Sequence, residues 1–274
     1  MNLNYVSCNL CGQDNAKVIE TSLESKVVQC RNCRLVYVNP QPAASALWEH
    51  YDKAYYEPWM SGQNLARKRM WEKRLKKVAA MKPSGNLLDV GCGTSNFLHT
   101  AKEHGFKVWG TEVSGFAVDN ARKLYGIDVF KGDLIDSHFQ DDFFDVITLW
   151  HVLEHTTDPF SNIKEAAKIV KPDGILVIAV PNINNFIYKI AYTTYRLRRP
   201  KLFSPDLREI HLYHFSIKTL SALLDKAGLK VTKAGIDSER ILIKERIIDS
   251  LAWAVYKTTG VNLGLAFEVY AQRK

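Results

Sequence analysis

From residue 86 to the end of the chain, short apolar runs alternate with segments in which apolar residues return every three or four positions. The runs LLDVG, KVWGTEV, DVFKGD, FDVITLW, GILVIAV and KVTKAGI, with a last one at LAFEVYAQ, have strand length. Several are apolar on both alternating faces, as strands covered by helices on two sides are. Between them the spacing predicts helices. Asp158 and Pro159 form a cap and first-turn proline ahead of Ile163, Ala166, Ala167 and Val170. Ser216 caps a second stripe, Ile217, Leu220, Leu223, Leu224 and Ala227, which stops at Gly228. This alternation predicts an α/β fold with a doubly wound, Rossmann-like sheet.

Composition keeps that picture and limits the setting. With 274 residues, 46% hydrophobic and 24% charged, the chain is long enough for one full core and a small appendage. Its longest apolar runs, such as ILVIAV, fall far short of the roughly 20 residues that cross a bilayer. The start, MNLNYVSCNLCG, lacks a charged segment followed by an apolar one, so no signal peptide is expected and a cytoplasmic home is. The net charge of +8 favours an acidic partner: a phosphorylated small molecule, a nucleic acid or an anionic membrane surface.

The five cysteines change the picture at the N-terminus. Cys8 and Cys11 form one C-x-x-C and Cys30 and Cys33 a second. Each pair can place two thiolates on a tight knuckle, and two knuckles give the closed tetrahedral shell of a structural zinc ion. Short strand-like runs, VIE, KVVQC and LVYV, surround them, so residues 1–40 are expected to form a four-cysteine zinc ribbon. Four ordinary buried thiols are the plain alternative.

The informative turn is LLDVGCGTSNFL at 87–98, where an apolar strand ends in a glycine-bearing loop and enters a helix. Gly91 and Gly93 let the backbone approach a ligand, while Ser95 stands where a dinucleotide fingerprint has its third glycine. Asp89, just before the loop, repels a pyrophosphate and suits a cationic or hydroxyl-bearing ligand. Glu112 ends the second strand about 20 residues on, where an acid meets ribose hydroxyls in dinucleotide-type folds.

This D-x-G-x-G turn, with acids at Glu112 and Asp133, resembles the class I S-adenosylmethionine-dependent methyltransferases over roughly residues 86–236. The resemblance implies a seven-stranded sheet whose last strand is antiparallel. It also implies a donor site in which Asp89, Gly91, Cys92 and Gly93 face the methionine part, Glu112 and Val113 the ribose, and Asp133 and Leu134 the adenine. Trp150 and His151, at the end of the fourth strand, would lie beside the donor. Residues 41–85 would then form a helical linker covering the donor pocket and residues 86–274 the catalytic domain. The ribbon, LVYVNPQP, YDKAYYE, this core and HLYHFS together look like bacterial and archaeal methyltransferases of sugar-nucleotide and surface-polysaccharide pathways.

Pocket residues must then name the acceptor, because displacement at a sulfonium needs alignment always and a base only where the acceptor loses a proton. No N-P-P-Y-like stretch follows FDVITLW, and Cys92 lies in the donor loop rather than where a nucleophile would attack a base. A small, anionic acceptor is expected, at a hydroxyl or less readily a carbon of a nucleotide sugar or glycan precursor. The alternative is RNA, held by the ribbon and by the basic segment 62–82 with Arg67, Lys68, Arg69, Lys73, Arg74, Lys76, Lys77 and Lys82. That segment is equally a solvated helix packing Trp71, Leu75 and Val78 inward. Tyr51, Tyr55 and Tyr56 either cover the donor pocket or pack in the core. Residues 183–199, with Phe186, Ile187 and Ile190 ahead of three arginines, read as a lid or a membrane-surface helix.

The candidate bases are His151, His211 and His214. His151 opens the string HVLEH, which spells the H-x-x-E-H pattern of one zinc-peptidase class. Placed at the carboxyl edge of a strand rather than inside a helix, it is expected to match that pattern by coincidence, with the four cysteines accounting for the metal.

Overall fold

The computed structural model describes the chain apart from residues 1–2, 23, 62–64, 205–206, 208 and 238–242; of residues 58–61 and 243–246 it describes the backbone only. In chain order the first elements are β1 (Leu3–Asn4), β2 (Ala16–Ser22), β3 (Ser25–Cys30), β4 (Val36–Asn39), β5 (Gln41–Pro42), α1 (Ala44–His50), α2 (Lys53–Ser61) and α3 (Leu65–Ala79). The α/β part follows: β6 (Asn86–Val90), α4 (Asn96–Glu103), β7 (Lys107–Glu112), α5 (Gly115–Tyr125), β8 (Phe130–Lys131), β9 (Phe144–Trp150), α6 (Pro159–Ile169) and β10 (Val170–Pro181). Then come α7 (Phe186–Arg196), β11 (Tyr213–His214), α8 (Ile217–Lys226), β12 (Leu229–Ile236), α9 (Ile243–Thr259) and β13 (Ala266–Arg273).

The main sheet has seven strands in the order β12-β13-β10-β9-β6-β7-β8. β6, β7, β8, β9 and β10 pair in parallel, and β13 runs antiparallel to both of its neighbours. The expected doubly wound, seven-stranded sheet is therefore present, with its last strand reversed. Side-chain alternation divides the core. Leu87, Val146, Val177 and Ala179 join α3, α4 and α5 through Leu75, Phe97 and Ala121 on one face. Leu88, Ile147, Leu176 and Ile178 join α6 and α8 through Ile163, Ala166, Leu220 and Leu224 on the other.

The helix ends follow the predicted capping chemistry. Asp158 accepts the Ser161 N–H at 3.0 Å, with Pro159 supplying a first-turn residue that has no N–H to satisfy. Ser216 and Thr219 form a reciprocal capping box at the start of α8. Arg74 and Lys77 of α3 turn inward to Asp237 and Glu268, while α7 buries none of its residues and exposes Phe186 and Ile190. Among the described residues no helix is long and apolar enough to cross a membrane.

The cysteine-bearing unit shares a core and a sheet with the rest. Its strands β2, β3 and β4 are extended by β11, which comes from the chain between α7 and α8, giving the order β11-β4-β3-β2. Cys8, Val27, Leu35 and Tyr37 belong to the same apolar cluster as Leu220 and Leu223 of α8. Tyr213 closes the joint: its ring stacks on Tyr37 at a centroid distance of 6.2 Å and its hydroxyl donates to the Thr157 carbonyl at 3.2 Å. Tyr213→Ala should accordingly destabilise the protein by about 3–5 kcal/mol in denaturant unfolding, through loss of a fully buried ring. Tyr213→Phe, which removes one hydrogen bond, should cost about 0.5–1.5 kcal/mol. Equal losses in the two variants would show that ring packing is not what holds the joint.

Candidate active site

The carboxyl ends of β6, β7, β8 and β9 open onto a cavity of 640 Å³. The loop after β6 forms its floor. Gly91 takes a φ of +61°, and a Cβ there would stand 2.7 Å from a Val152 methyl, so the turn requires glycine. Glu112, at the end of β7, is 4% exposed, and its two carboxylate oxygens accept the N–H groups of Gly93 at 2.8 Å and Ser114 at 2.9 Å. Burial raises its affinity for a proton and those N–H groups oppose the rise. A carboxylate held this way keeps lone pairs for hydroxyls of a ligand.

Asp89 lies at the end of β6, 3% exposed, and accepts the Thr148 hydroxyl at 2.6 Å. Burial pushes its carboxyl up to about 7; the Thr148 bond and the Arg74 charge pull it down, and Glu112 adds to the rise. Asp133 follows β8, where its side chain accepts the Leu134 N–H at 2.6 Å and burial again raises its proton affinity. Asp89, Gly91, Cys92, Gly93, Glu112, Val113, Asp133, Trp150 and His151 all line the cavity, as the sequence anticipates. Leu134 does not. It begins a short 3-10 turn, Leu134–Asp136, and its side chain is fully buried in the core. Cys92 is buried beside the Ser95 hydroxyl at 3.3 Å, and burial drives its thiol well above the ordinary range, the state of an inert structural group.

His151 follows β9 with a φ of +58°, a costly conformation for a residue with a Cβ. Its Nε2 lies 3.0 Å from an Asp237 carboxylate oxygen and its Nδ1 3.5 Å from Glu154. Burial disfavours its charged form, but the two carboxylates outweigh burial and raise its proton affinity. The same Asp237 oxygen receives Arg74 at 2.7 Å, and the guanidinium sits between Trp71 and Trp150, 5.0 and 4.6 Å from the ring centroids. Arg74 is thus an internal ion-pair partner, which corrects its sequence reading as a possible phosphate grip. Lys82 pairs with Asp173 at 2.7 Å.

The rest of the wall comes from the cover. Leu47, Trp48, Tyr51, Tyr55, Tyr56, Met70 and Trp71 line it, so the tyrosines cover the pocket rather than fill a remote core. Tyr51 stacks edge-on against Tyr55 at 5.0 Å and against His155 at 6.2 Å. Sequence reading missed Thr156, Thr157, Glu209 and Asn96, which also line the cavity, and Asp237, which holds His151. Asp237 carries a findable signal: an acid directly after the strand KVTKAGI, at the same sheet edge as Asp89 and Glu112.

The three candidate bases separate in space. His151 lines the cavity; His211 lies behind His155, the ring centroids 4.8 Å apart. His214 pairs with Val36 in β11, is 8% exposed and does not line the cavity; burial lowers it to about 3 and keeps it neutral. Strand pairing with the cysteine unit turns it away from the site, a partner that sequence spacing does not reveal. Burial likewise lowers His211, to about 4. Burial opposes ionisation of Glu154, yet the imidazoles around it hold it down to about 2. None of the α7 residues lines the cavity.

The four cysteines of the N-terminal unit converge, with the Cys8 and Cys33 sulfurs 3.4 Å apart and those of Cys11 and Cys30 3.5 Å apart. All four sulfurs lie within 4.8 Å of one another and all are free thiols. Zinc–sulfur bonds of about 2.3 Å put tetrahedral sulfurs about 3.8 Å apart, so the cluster fits such an ion. The knuckle turns are formed: Gly12 N–H donates to the Cys8 carbonyl at 2.7 Å and Arg34 N–H to that of Cys30 at 3.1 Å.

Comparison with known proteins agrees with this geometry. A family described as "Methyltransferase domain" matches residues 64–234. Demethylmenaquinone methyltransferase of Bacillus mycoides is 25% identical over 64% of this chain and 82% of its own length. Among solved structures, magnesium protoporphyrin IX methyltransferase of Synechocystis superposes with a TM-score of 0.59 at 14% identity, over 85% of this chain and 100% of that one. A possible histamine N-methyltransferase of Thermotoga maritima gives 0.56 at 22% identity, over 83% and 100% of the two chains. These likenesses establish the shared fold, and the family match covers more than half of the sequence. With its acids at three successive strand ends and its glycine turn over the cavity, the chain belongs to the methyltransferase-domain family and is a class I S-adenosylmethionine-dependent methyltransferase.

Proposed function

We propose that the enzyme methylates a small anionic acceptor, at a hydroxyl or less readily a carbon of a nucleotide sugar or other glycan precursor. The observation that supports this reading is the composition of one 640 Å³ cavity. Asp89, Glu112 and Asp133 stand at its donor side, and Tyr51, Tyr55, His155, Thr156, Thr157 and Glu209 contribute to its walls. That volume suits a cofactor and a small substrate. Hydroxyl, imidazole and carboxylate groups around it match a polyhydroxylated acceptor, whereas a quinone, such as the demethylmenaquinone named for the curated relatives, offers two carbonyl oxygens and no donor and would leave the carboxylates unpaired. In the transfer, the donor's sulfur–methyl bond breaks as the oxygen–methyl bond forms, S-adenosylhomocysteine leaves, and the hydroxyl proton passes to a base or water.

RNA draws less support. Arg74, Lys77 and Lys82 of the basic segment already pair with Asp237, Glu268 and Asp173, which subtracts three cations from a phosphate-binding face. Incubation with methyl-labelled donor should transfer label to a nucleotide-sugar panel and leave RNA and demethylmenaquinone unlabelled. Label in RNA, or in the quinone alone, would overturn the acceptor assignment.

Asp89 gives the donor site a testable pH dependence. Its carboxylate must be ionised to attract the donor's ammonium, and its proton is lost around pH 7. Donor affinity should therefore fall about tenfold as the pH drops from 8 to 6, following the ionised fraction. Asp89→Asn should bind more weakly and show a nearly flat profile over that range. A flat wild-type profile in calorimetry would remove Asp89 from donor recognition.

We also propose that Cys8, Cys11, Cys30 and Cys33 hold one structural zinc ion, whose role is to brace the unit around β2, β3 and β4. Purified protein should contain one equivalent of zinc, and Cys30→Ser should lower both the zinc content and the melting temperature. The shift should be about 2–4 °C for each kcal/mol lost in a chain of this size. Metal-free protein with unchanged melting would contradict the assignment.

A further inference from the structure

A second group of metal-ligating side chains lies beside the donor cavity. Glu154 and His155 occupy a 3-10 turn, Leu153–His155, that follows β9. His211 comes from the segment before β11, and the two stretches are tied together by the Leu212 N–H, which donates to the Glu154 carbonyl at 2.8 Å. One ligand atom from each of Glu154, His155 and His211 lies within 4.8 Å of the other two.

Three features separate this cluster from a chance meeting of polar groups. Glu154 is 1% exposed, and its imidazole contacts, His151 Nδ1 at 3.5 Å and His155 Nε2 at 3.9 Å, both go to Oε1, while neither carboxylate oxygen has a hydrogen bond within normal length. Oε2 is thus buried without a hydrogen bond, and a buried carboxylate oxygen in that state is one that a bound cation would satisfy. His155 Nδ1 donates its proton to the Ile210 carbonyl at 2.7 Å, which orients the ring and leaves Nε2, turned toward Glu154, as the nitrogen available to a metal. This is the outer hydrogen bond that fixes the tautomer of a metal-binding histidine. Finally, the ligands are two imidazoles and one carboxylate, a set that in catalytic centres leaves coordination positions open for substrate oxygen.

We infer that Glu154, His155 and His211 bind one divalent transition-metal ion at the edge of the donor cavity, separate from the cysteine cluster. His155 itself lines that cavity, so the open positions face the space in which the acceptor is placed. The ion would take one or two acceptor oxygens there, which rests on the hydroxyl-acceptor reading above. The separation of up to 4.8 Å exceeds the roughly 3.4 Å between tetrahedral ligands at 2.0–2.1 Å, so binding draws the three side chains together. The H-x-x-E-H string thus supplies two metal ligands from its last two residues, with His151 turned to Asp237 instead.

The test loads full-length protein with a single equivalent of zinc, which the four thiolates take first, and then titrates it with Co²⁺, following visible absorption and total metal. Wild type should take up one further equivalent, with weak ligand-field bands and no thiolate-to-cobalt charge transfer, because nitrogen and oxygen are the ligands. His211→Ala and the shape-conserving Glu154→Gln should each weaken uptake at least tenfold, with S-adenosylmethionine binding kept as proof of folding. No further equivalent in wild type, charge-transfer bands showing exchange into the cysteines, or uptake undiminished in a variant that still binds donor would each overturn the inference. Because the readout is metal uptake, it stands apart from the acceptor assignment: cobalt binding with no labelled sugar product would sink the acceptor reading alone.

Discussion

The active-site edge is organised by a chain of charges, Arg74, Asp237, His151 and Glu154, in which all but the cavity-lining His151 are buried. Arg74 comes from α3, Asp237 from the end of β12, His151 from the end of β9 and Glu154 from the turn beyond it. Removing one partner from a buried ion pair is far more harmful than the pair is stabilising, so the chain enforces a geometry rather than adding stability. It fixes the cover helix over the sheet, places Trp71 and Trp150 on either side of one guanidinium, and holds His151 in a left-handed conformation that an isolated strand end would not adopt.

The acids that line the cavity work the other way. Asp89, Glu112 and Asp133 are three acids within one cavity, and burial raises the proton affinity of each. Glu112 is restrained by two backbone N–H groups and Asp133 by one, which keeps their oxygens aimed before a ligand arrives. Asp89 has a neutral hydroxyl at 2.6 Å and the charge of Arg74 further off, so it answers most directly to an arriving cation. The charge chain and Asp89 of the cavity therefore share Arg74 as a common positive charge.

How much of this was legible follows from which interactions are local. The strands, the two capped helices, the glycine turn and the acids at strand ends each depend on residues within one turn or one strand, and the sequence pattern places them correctly. The cysteine cluster was legible because C-x-x-C spacing carries its own geometry. What spacing could not show were contacts across the fold. Arg74 meets an acid 163 positions away, and β11 leaves the main sheet to pair with β4, taking His214 out of reach of the cavity. HVLEH reads as a coincidence in the sequence because its neighbour His211 lies in another segment, with no fixed offset to reveal it.

The position of β11 gives the cysteine unit a reason to be part of this enzyme. The Leu212 carbonyl accepts the Val38 N–H at 2.8 Å, and the Leu212 N–H donates to the Glu154 carbonyl at 2.8 Å. One peptide stretch is thus clamped between the cysteine-bearing sheet and the turn that carries Glu154 and His155, and His211 is the residue just before it. A unit of short strands has too small a core to be rigid by apolar burial alone, which is where four thiolates on one ion would act. Val38 of β4 is thus linked through Leu212 to the turn whose His155 lines the cavity, so an ion bracing the cysteine unit would also steady that wall without lining it.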